Sequence, residues 1–281
     1  MNAKYQNSDD LQKFADRIRF HAIRSMHASR GGHAGGVLSL CELLAVLYGN
    51  IMNYDPADPR MENRDKVVLS KGHCGPVLYS ALALSGFFPE EELLTLNQNG
   101  GHLPSHCDMS KTPGVDMTTG SLGQGASTAV GMALGKKMLH KDGFVFLILG
   151  DGELNEGQVW EAAMFARQHR LDNLITFVDW NHQQLDGYTT DICDMGNIEE
   201  KFRSFGFETV TIDGHDTNAI QKAISDAAAS ENEVPKCIVL DTIKGKGWSI
   251  TEGKTGIHHI VITDEMMQEA EIEFAGKGVT I

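Results

Sequence analysis

The chain has 281 residues, 41% hydrophobic and 22% charged, an ordinary composition for a folded protein with a large core. Its net charge of −14 and the lack of any Lys/Arg run exclude a nucleic-acid binder built on a basic patch. No apolar run reaches membrane-spanning length, and the polar start MNAKYQNSDD lacks a signal-peptide apolar region.

Residues 9–29 place Leu11, Phe14, Ala15, Ile18, Ala22 and Met26 on one face and predict an amphipathic helix. A second apolar helix is expected over 38–50, stopped near Asn53 and Pro56. Lys66–Leu69 reads as a short strand entering the turn SKGHCG, with helices following at 75–85 and 89–97. Segment 98–119 is long, polar and rich in Gly and Pro, and loops of that length are usually functional or disordered. Gly120–Lys137 resumes as a Gly/Ala-rich helix. Strand 144–149, helix 156–169, strand 174–179, helix 197–204, strand 207–212, helix 216–229 and strand 236–242 then alternate. The expectation is an α/β fold: a mainly parallel sheet with helices on both faces, in one domain over 1–281. Five cysteines, at 41, 74, 107, 193 and 237, form no CxxC pair. Their odd number suits small core residues in a reduced, cytoplasmic setting.

FLILGDGELNEGQVWEAA followed by LITFVDWN reads as strand, Gly-Asp-Gly turn, helix, strand and then Asn181. Gly-Asp-Gly alone is a common tight corner. Here Asn181 follows Gly152 after 28 intervening residues, about one βαβ unit, so both fall at carboxyl ends of strands, where such sheets bind ligands. Hard oxygen donors suit Mg²⁺ or Ca²⁺, and a helix opening near Asn155 favours a diphosphate beside them. Histidines sit in Gly-containing turns at His33, His73, His106 and the pair His258-His259, with His102 a weaker candidate. One loop histidine is usually a surface residue, whereas several such loops suggest proton-handling groups near a ligand. His21, His27, His140 and His169 read as structural or solvated, and His215 as part of a turn before a helix capped by Asp216. GSLGQG lacks dinucleotide-site spacing and GMALGKK lacks P-loop spacing.

Taken together, GGHAGG, LSKGH, TPGVDMTTGSLGQG, GDGELNEG, Asn181 and DGHD resemble transketolase. More narrowly, they resemble the N-terminal, diphosphate-binding subunit of a split transketolase. The resemblance implies thiamine diphosphate with Mg²⁺ or Ca²⁺, the metal held by Asp151, Asn181 and the Gln183 carbonyl. It implies diphosphate contacts from Gly152 and His73 and a cofactor pocket lined by Gly120, Ser121 and Leu122. His33, His73, His106 and His258 match active-site histidines: His33 and His258 for ketose hydroxyls, His106 for the transferred two-carbon unit. Glu156 and Glu161 match acids at a dimer interface that link two cofactor sites, Glu156 reaching the cofactor environment.

Three departures from the family pattern stand out: Ala34 in place of Pro, His182 in place of Gly, and Ile257-His258-His259 in place of His-Gly. The last leaves the choice between His258 and His259 open. The family's catalytic glutamate belongs to a pyrimidine-binding domain, so a second subunit is expected to carry that domain and a C-terminal one, in an α₂β₂ assembly. The substrates implied are sugars or sugar phosphates, with no nucleic acid and no membrane. A decarboxylating relative and a non-catalytic stabilising module remain alternative readings.

Overall fold

The computed structural model describes residues 4, 5 and 7–280. Five strands, β1 Lys66–Leu69, β2 Val145–Gly150, β3 Leu174–Trp180, β4 Glu208–Asp213 and β5 Lys236–Asp241, form one sheet in the order β1-β2-β3-β5-β4. Every neighbouring pair is parallel. The helices in chain order are α1 Ser8–Ala28, α2 Ala34–Leu38, α3 Cys41–Val46, α4 Gly75–Leu84 and α5 Gln124–Met138. They continue with α6 Gly157–Gln168, α7 Thr189–Ile192, α8 Ile198–Ser204, α9 Thr217–Ala229 and α10 Asp264–Gly276.

The central strands are largely apolar because both faces are covered, with Asp179 the buried charge on β3. Phe146, Ile148, Ile175, Phe177, Ile238 and Leu240 point into one apolar cluster with α1, α3, α4, α9 and α10. Their alternates Val145, Leu147, Leu149, Leu174, Val178 and Val239 point into a second cluster with α5, α6 and α8. The two-residue side-chain period of a strand thus feeds two cores from one sheet. Asn7 caps α1 by accepting the Asp10 N–H at 2.8 Å, and the six apolar residues expected on its inner face are all buried. No helix among the described residues is long and apolar enough to cross a membrane.

Several expected elements differ. The helix over 38–50 is broken into α2, α3 and a π turn Leu47–Ile51. The break falls at Ser39, whose hydroxyl donates to the buried Asp179 carboxylate at 2.6 Å. Segment 89–97 is a 3₁₀ turn, Glu90–Thr95, in which three consecutive glutamates leave only Leu93 to bury. α5 starts at Gln124 because Gly120 and Gly123 adopt φ of 149° and 82°, outside helical space. A 3₁₀ turn, Gly152–Asn155, precedes α6, which therefore opens at Gly157 rather than near Asn155. α10 had no counterpart in the sequence pattern, and it buries Met267, Ala270 and Phe274. Cys41, Cys74, Cys107 and Cys237 are buried, whereas Cys193 is exposed and is not a core residue.

The 98–119 segment has no regular structure yet is tied to the sheet. Buried Asp116 accepts from Arg64 Nη1 at 3.2 Å and from the Val67 N–H at 2.9 Å, and pairs with Arg64 Nη2. This anchors the loop bearing His106 onto β1. Removing one partner strands the other charge in the interior. Asp116→Ala should therefore lower the unfolding free energy by about 3–5 kcal/mol, and adding Arg64→Met should recover part of that loss. Denaturant unfolding of the full chain checks both, and a loss near zero for Asp116→Ala would refute the anchor.

Candidate active site

A cavity of about 440 Å³ opens where the loops leave the strands' carboxyl ends. Its walls include Asp151, Asn181, Lys71, Lys244, His73 and His258. Asp151 follows β2 and Asn181 follows β3, the neighbouring strand, so pairing of the two strands brings these side chains to one place. Asp151 Oδ1 accepts the Gly152 N–H at 2.7 Å, while Oδ2 is buried and has no hydrogen-bond partner. Burial, reinforced by the Asp179 charge, pushes the Asp151 carboxyl up to about 7. A buried carboxylate oxygen without a partner is costly unless a cation completes it.

Asn181 is oriented by its neighbour: Nδ2 donates to Asp179 Oδ2 at 3.0 Å, and Oδ1 accepts the Gln183 N–H at 3.3 Å. The amide oxygen is thereby directed away from Asp179. The Gln183 carbonyl accepts from Lys244 Nζ at 3.4 Å, and Gln184 O accepts from the same ammonium at 3.1 Å. Among the described residues no group of three or more His, Cys, Asp or Glu is placed to hold a metal ion. One carboxylate with amide and backbone oxygens is instead the donor set that a hard cation shares with phosphate oxygens. The residues present fit such a cation.

Glu153 ties two cavity loops to the end of β2. Its carboxylate accepts from Ser70 Oγ, from the Gly123 N–H at 2.8 Å and from the Gly150 N–H at 3.0 Å. The loop after β1, the turn before α5 and the end of β2 thus share one buried anchor.

The imidazoles converge. His33 lies 5.0 Å from His73, 5.3 Å from His258 and 6.0 Å from His106, ring centre to ring centre, and His73 lies 5.3 Å from His258. All four line the cavity. Desolvation, with the charges of His259 and His106, takes His33 down to about 4. Desolvation and Lys71 take His73 down to about 2, while desolvation and Lys244 take His258 down to about 4. Gly120, at φ 149°, lets the exposed His106 ring lie against its backbone; an added Cβ would fall 2.9 Å from that ring.

Gly152, Leu122 and Glu156 line the cavity. Ser121 does not: it is exposed, and its carbonyl accepts the Gln124 N–H at 3.3 Å where α5 starts. Glu161 is exposed on α6. His258 faces the cavity, whereas His259 is exposed with its ring 4.9 Å from His33. His102 lies outside the cavity lining, paired with Glu92 at 3.1 Å. His182 takes φ 64°, a left-handed conformation that favours Gly, and pairs with Asp241 at 2.8 Å.

Sequence reasoning missed Lys71 and Lys244. Both are buried in the cavity wall, and each follows the carboxyl end of a strand beside glycine, a position that was available as a signal. Burial lowers the Lys244 ammonium from its ordinary range, with Asp151 opposing the shift. Burial also acts to lower Lys71, but its contact with Asp179 outweighs this and raises it.

Fold and cavity together define a parallel α/β domain with an acidic, amide, lysine and imidazole pocket at its strand ends. The family model "Transketolase, thiamine diphosphate binding domain" matches residues 11–277. The 6-deoxy-6-sulfo-D-fructose transketolase subunit SqwG of Clostridium sp. (strain MSTE9) is 51% identical, over 96% of this chain and 98% of its own length. An apulose-4-phosphate transketolase subunit of Actinobacillus succinogenes is 37% identical over 93% and 94%. The transketolase from Leishmania mexicana superposes with a TM-score of 0.89 at 30% identity, covering 94% of this chain and 41% of that one. The chain belongs to the transketolase family, as a subunit with the thiamine diphosphate-binding domain.

The histidine shifts carry a pH consequence. An imidazole depressed from 6.5 on folding contributes stability that is complete above pH 6.5 and is lost as the pH falls toward the folded value. Wild type should therefore lose more stability than His73→Asn between about pH 8 and about pH 5. Denaturant titrations at both pH values measure the difference, and equal losses would show that His73 titrates as in the unfolded chain.

Proposed function

We propose that this chain, as a single diphosphate-binding domain, holds the cofactor of a two-chain transketolase that moves a two-carbon ketol unit from a ketose to an aldose. The observation that carries the reading is the buried, unpartnered Asp151 Oδ2 beside Asn181, in a cavity lined by two lysines and four histidines. Asp151, the Asn181 amide oxygen and the Gln183 carbonyl would hold Mg²⁺ or Ca²⁺. Lys71, Lys244, His73 and Gly152 would meet the diphosphate, while Gly120 and Leu122 would line the wall. Thiamine diphosphate, when bound, supplies an electron sink for carbon–carbon bond cleavage.

The chain's own groups orient substrate and handle protons. His33 and His258, depressed to about 4, are neutral at pH 7 and can accept a proton from a ketose hydroxyl or donate a hydrogen bond to one. His106, exposed beside Gly120, would hold the transferred unit. The imidazole cluster favours a polyol substrate over decarboxylation of a 2-oxoacid. Identity to the relative named for 6-deoxy-6-sulfo-D-fructose supports that sulfonated ketose as first donor to test, with ketose phosphates next.

A second subunit with pyrimidine-binding and C-terminal domains is supported by the subunit names of the relatives and by this chain's covering 42% of the Pongo abelii transketolase. In the α₂β₂ assembly proposed here, the exposed Glu156 and Glu161 would lie at the interface between copies.

Titration calorimetry with thiamine diphosphate and Mg²⁺, on the chain with its partner subunit, tests this reading. Asp151→Ala should weaken binding by about 100-fold or more, beyond the usual loss from changing a metal site's supporting groups. Ketol transfer should require both subunits. Metal-independent binding, full rates from this chain alone, or turnover of pyruvate without ketol transfer would overturn it.

A further inference from the structure

A buried polar relay lies outside the cavity lining and contributes no side chain to the site described above. Arg19 of α1, 1% exposed, donates to Asp16 at 2.5 Å and pairs with Glu42 of α3. Glu42, 2% exposed, turns its second oxygen to His215 Nδ1 at 3.2 Å. Burial pushes the Glu42 carboxyl up, but Arg19 and His215 together outweigh it and hold the group down at about 2. His215 Nε2 accepts the backbone N–H of Ile243 at 2.8 Å. A neutral imidazole has one donor and one acceptor, so the proton sits on Nδ1, facing Glu42. One tautomer is thereby selected, and the ring bridges the core to the segment leaving β5.

That segment is held along its length. Thr242 Oγ1 donates to Asp179 Oδ1 at 2.5 Å, Ile243 N–H donates to His215, and Gly245 N–H donates to Gly35 O at 2.9 Å. Gly247, at φ 80°, lies against the Arg19 guanidinium, where a Cβ would come within 2.6 Å of Nε. The relay therefore touches the segment at both ends, through His215 and through Arg19. Between them lies Lys244, the residue of 242–247 that lines the cavity.

We propose that His215 is a positioning residue: through the Ile243 N–H it sets where the Lys244 ammonium sits, and so tunes affinity for the cofactor's diphosphate from outside the cavity. The proposal rests on the diphosphate contact assigned to Lys244 above. By analogy with the outer partners of metal ligands, whose loss costs about tenfold or more in affinity, a loss of about tenfold is expected here.

Two amides separate the arms of the imidazole. In His215→Gln the side-chain oxygen reaches the Nε2 position and can still accept from Ile243. In His215→Asn the amide nitrogen replaces Nδ1 toward Glu42 and leaves the Ile243 N–H without an acceptor. The assembled two-subunit protein is titrated with thiamine diphosphate and Mg²⁺. His215→Asn should weaken binding about tenfold and His215→Gln about twofold at most, with similar melting temperatures for both. His215→Asn combined with Lys244→Met should bind no more weakly than Lys244→Met alone. Equal weakening by Gln and Asn, or full additivity with Lys244→Met, would overturn the proposal.

Amide hydrogen exchange on the full chain without cofactor provides a readout independent of the functional reading. Ile243 and Gly245 should exchange faster in His215→Asn than in wild type or His215→Gln. Unchanged exchange would remove the mechanical link, whereas failure of wild type to bind the cofactor would remove the functional reading alone.

Discussion

The active-site end of this fold depends on one buried carboxylate. Asp179, on β3, is fully buried and accepts from Lys71 Nζ, Ser39 Oγ, Thr242 Oγ1 and Asn181 Nδ2. Burial raises the carboxyl, but Lys71 and the donated hydrogen bonds outweigh it and leave it below its ordinary value. A charge so deep is tolerated only when paired and hydrogen-bonded. The arrangement draws the loop after β1, the break between α2 and α3, the segment after β5 and the Asn181 amide to one point. It also has an electrostatic effect on its surroundings. The Asp179 charge adds to desolvation at Asp151, so the neighbouring carboxylate carries an unfavourable charge that a cation would relieve.

The cavity as a whole follows the same logic. Lys71 is neutralised by Asp179, whereas Lys244 rests on two backbone carbonyls and is the more available cation for a diphosphate. The three depressed imidazoles stay uncharged near neutral pH, which suits groups that exchange protons with hydroxyls. Glu153 keeps the walls in register through hydrogen bonds to two loops and the end of β2. Charge, tautomer and loop position are set together, as a preorganised site requires.

Much of this is legible in the chain. The apolar runs at β2 and β3, the Gly-Asp-Gly turn and Asn181 one βαβ unit later lead to the sheet, its direction and the oxygen donors at its edge. His33, His73 and His258 are legible because nearby glycines set their turns apart from periodic segments, and His106 because it falls in the long polar segment 98–119. Less visible are features decided by tertiary contacts. Lys71 and Lys244 follow strand ends beside glycine, but only burial, with Asp179 for Lys71 and two backbone carbonyls for Lys244, sets them apart from surface lysines. The broken helix at Ser39 and the late start of α5 answer to a distant carboxylate and to left-handed glycines, neither of which hydrophobic periodicity reports. Ser121 stands between two lining residues in the chain, yet it is exposed and lies outside the cavity wall. α10 escapes the sequence pattern because its apolar stripe is short.

The most direct test is the crystal structure of the two-subunit protein with thiamine diphosphate and Mn²⁺ in place of the native cation, recorded near the manganese edge. An anomalous peak bridging Asp151 Oδ2, the Asn181 amide oxygen and the diphosphate is the expected result. A peak elsewhere, or a bound cofactor with no metal at these oxygens, would contradict the assignment of Asp151 and Asn181 as the cation's ligands.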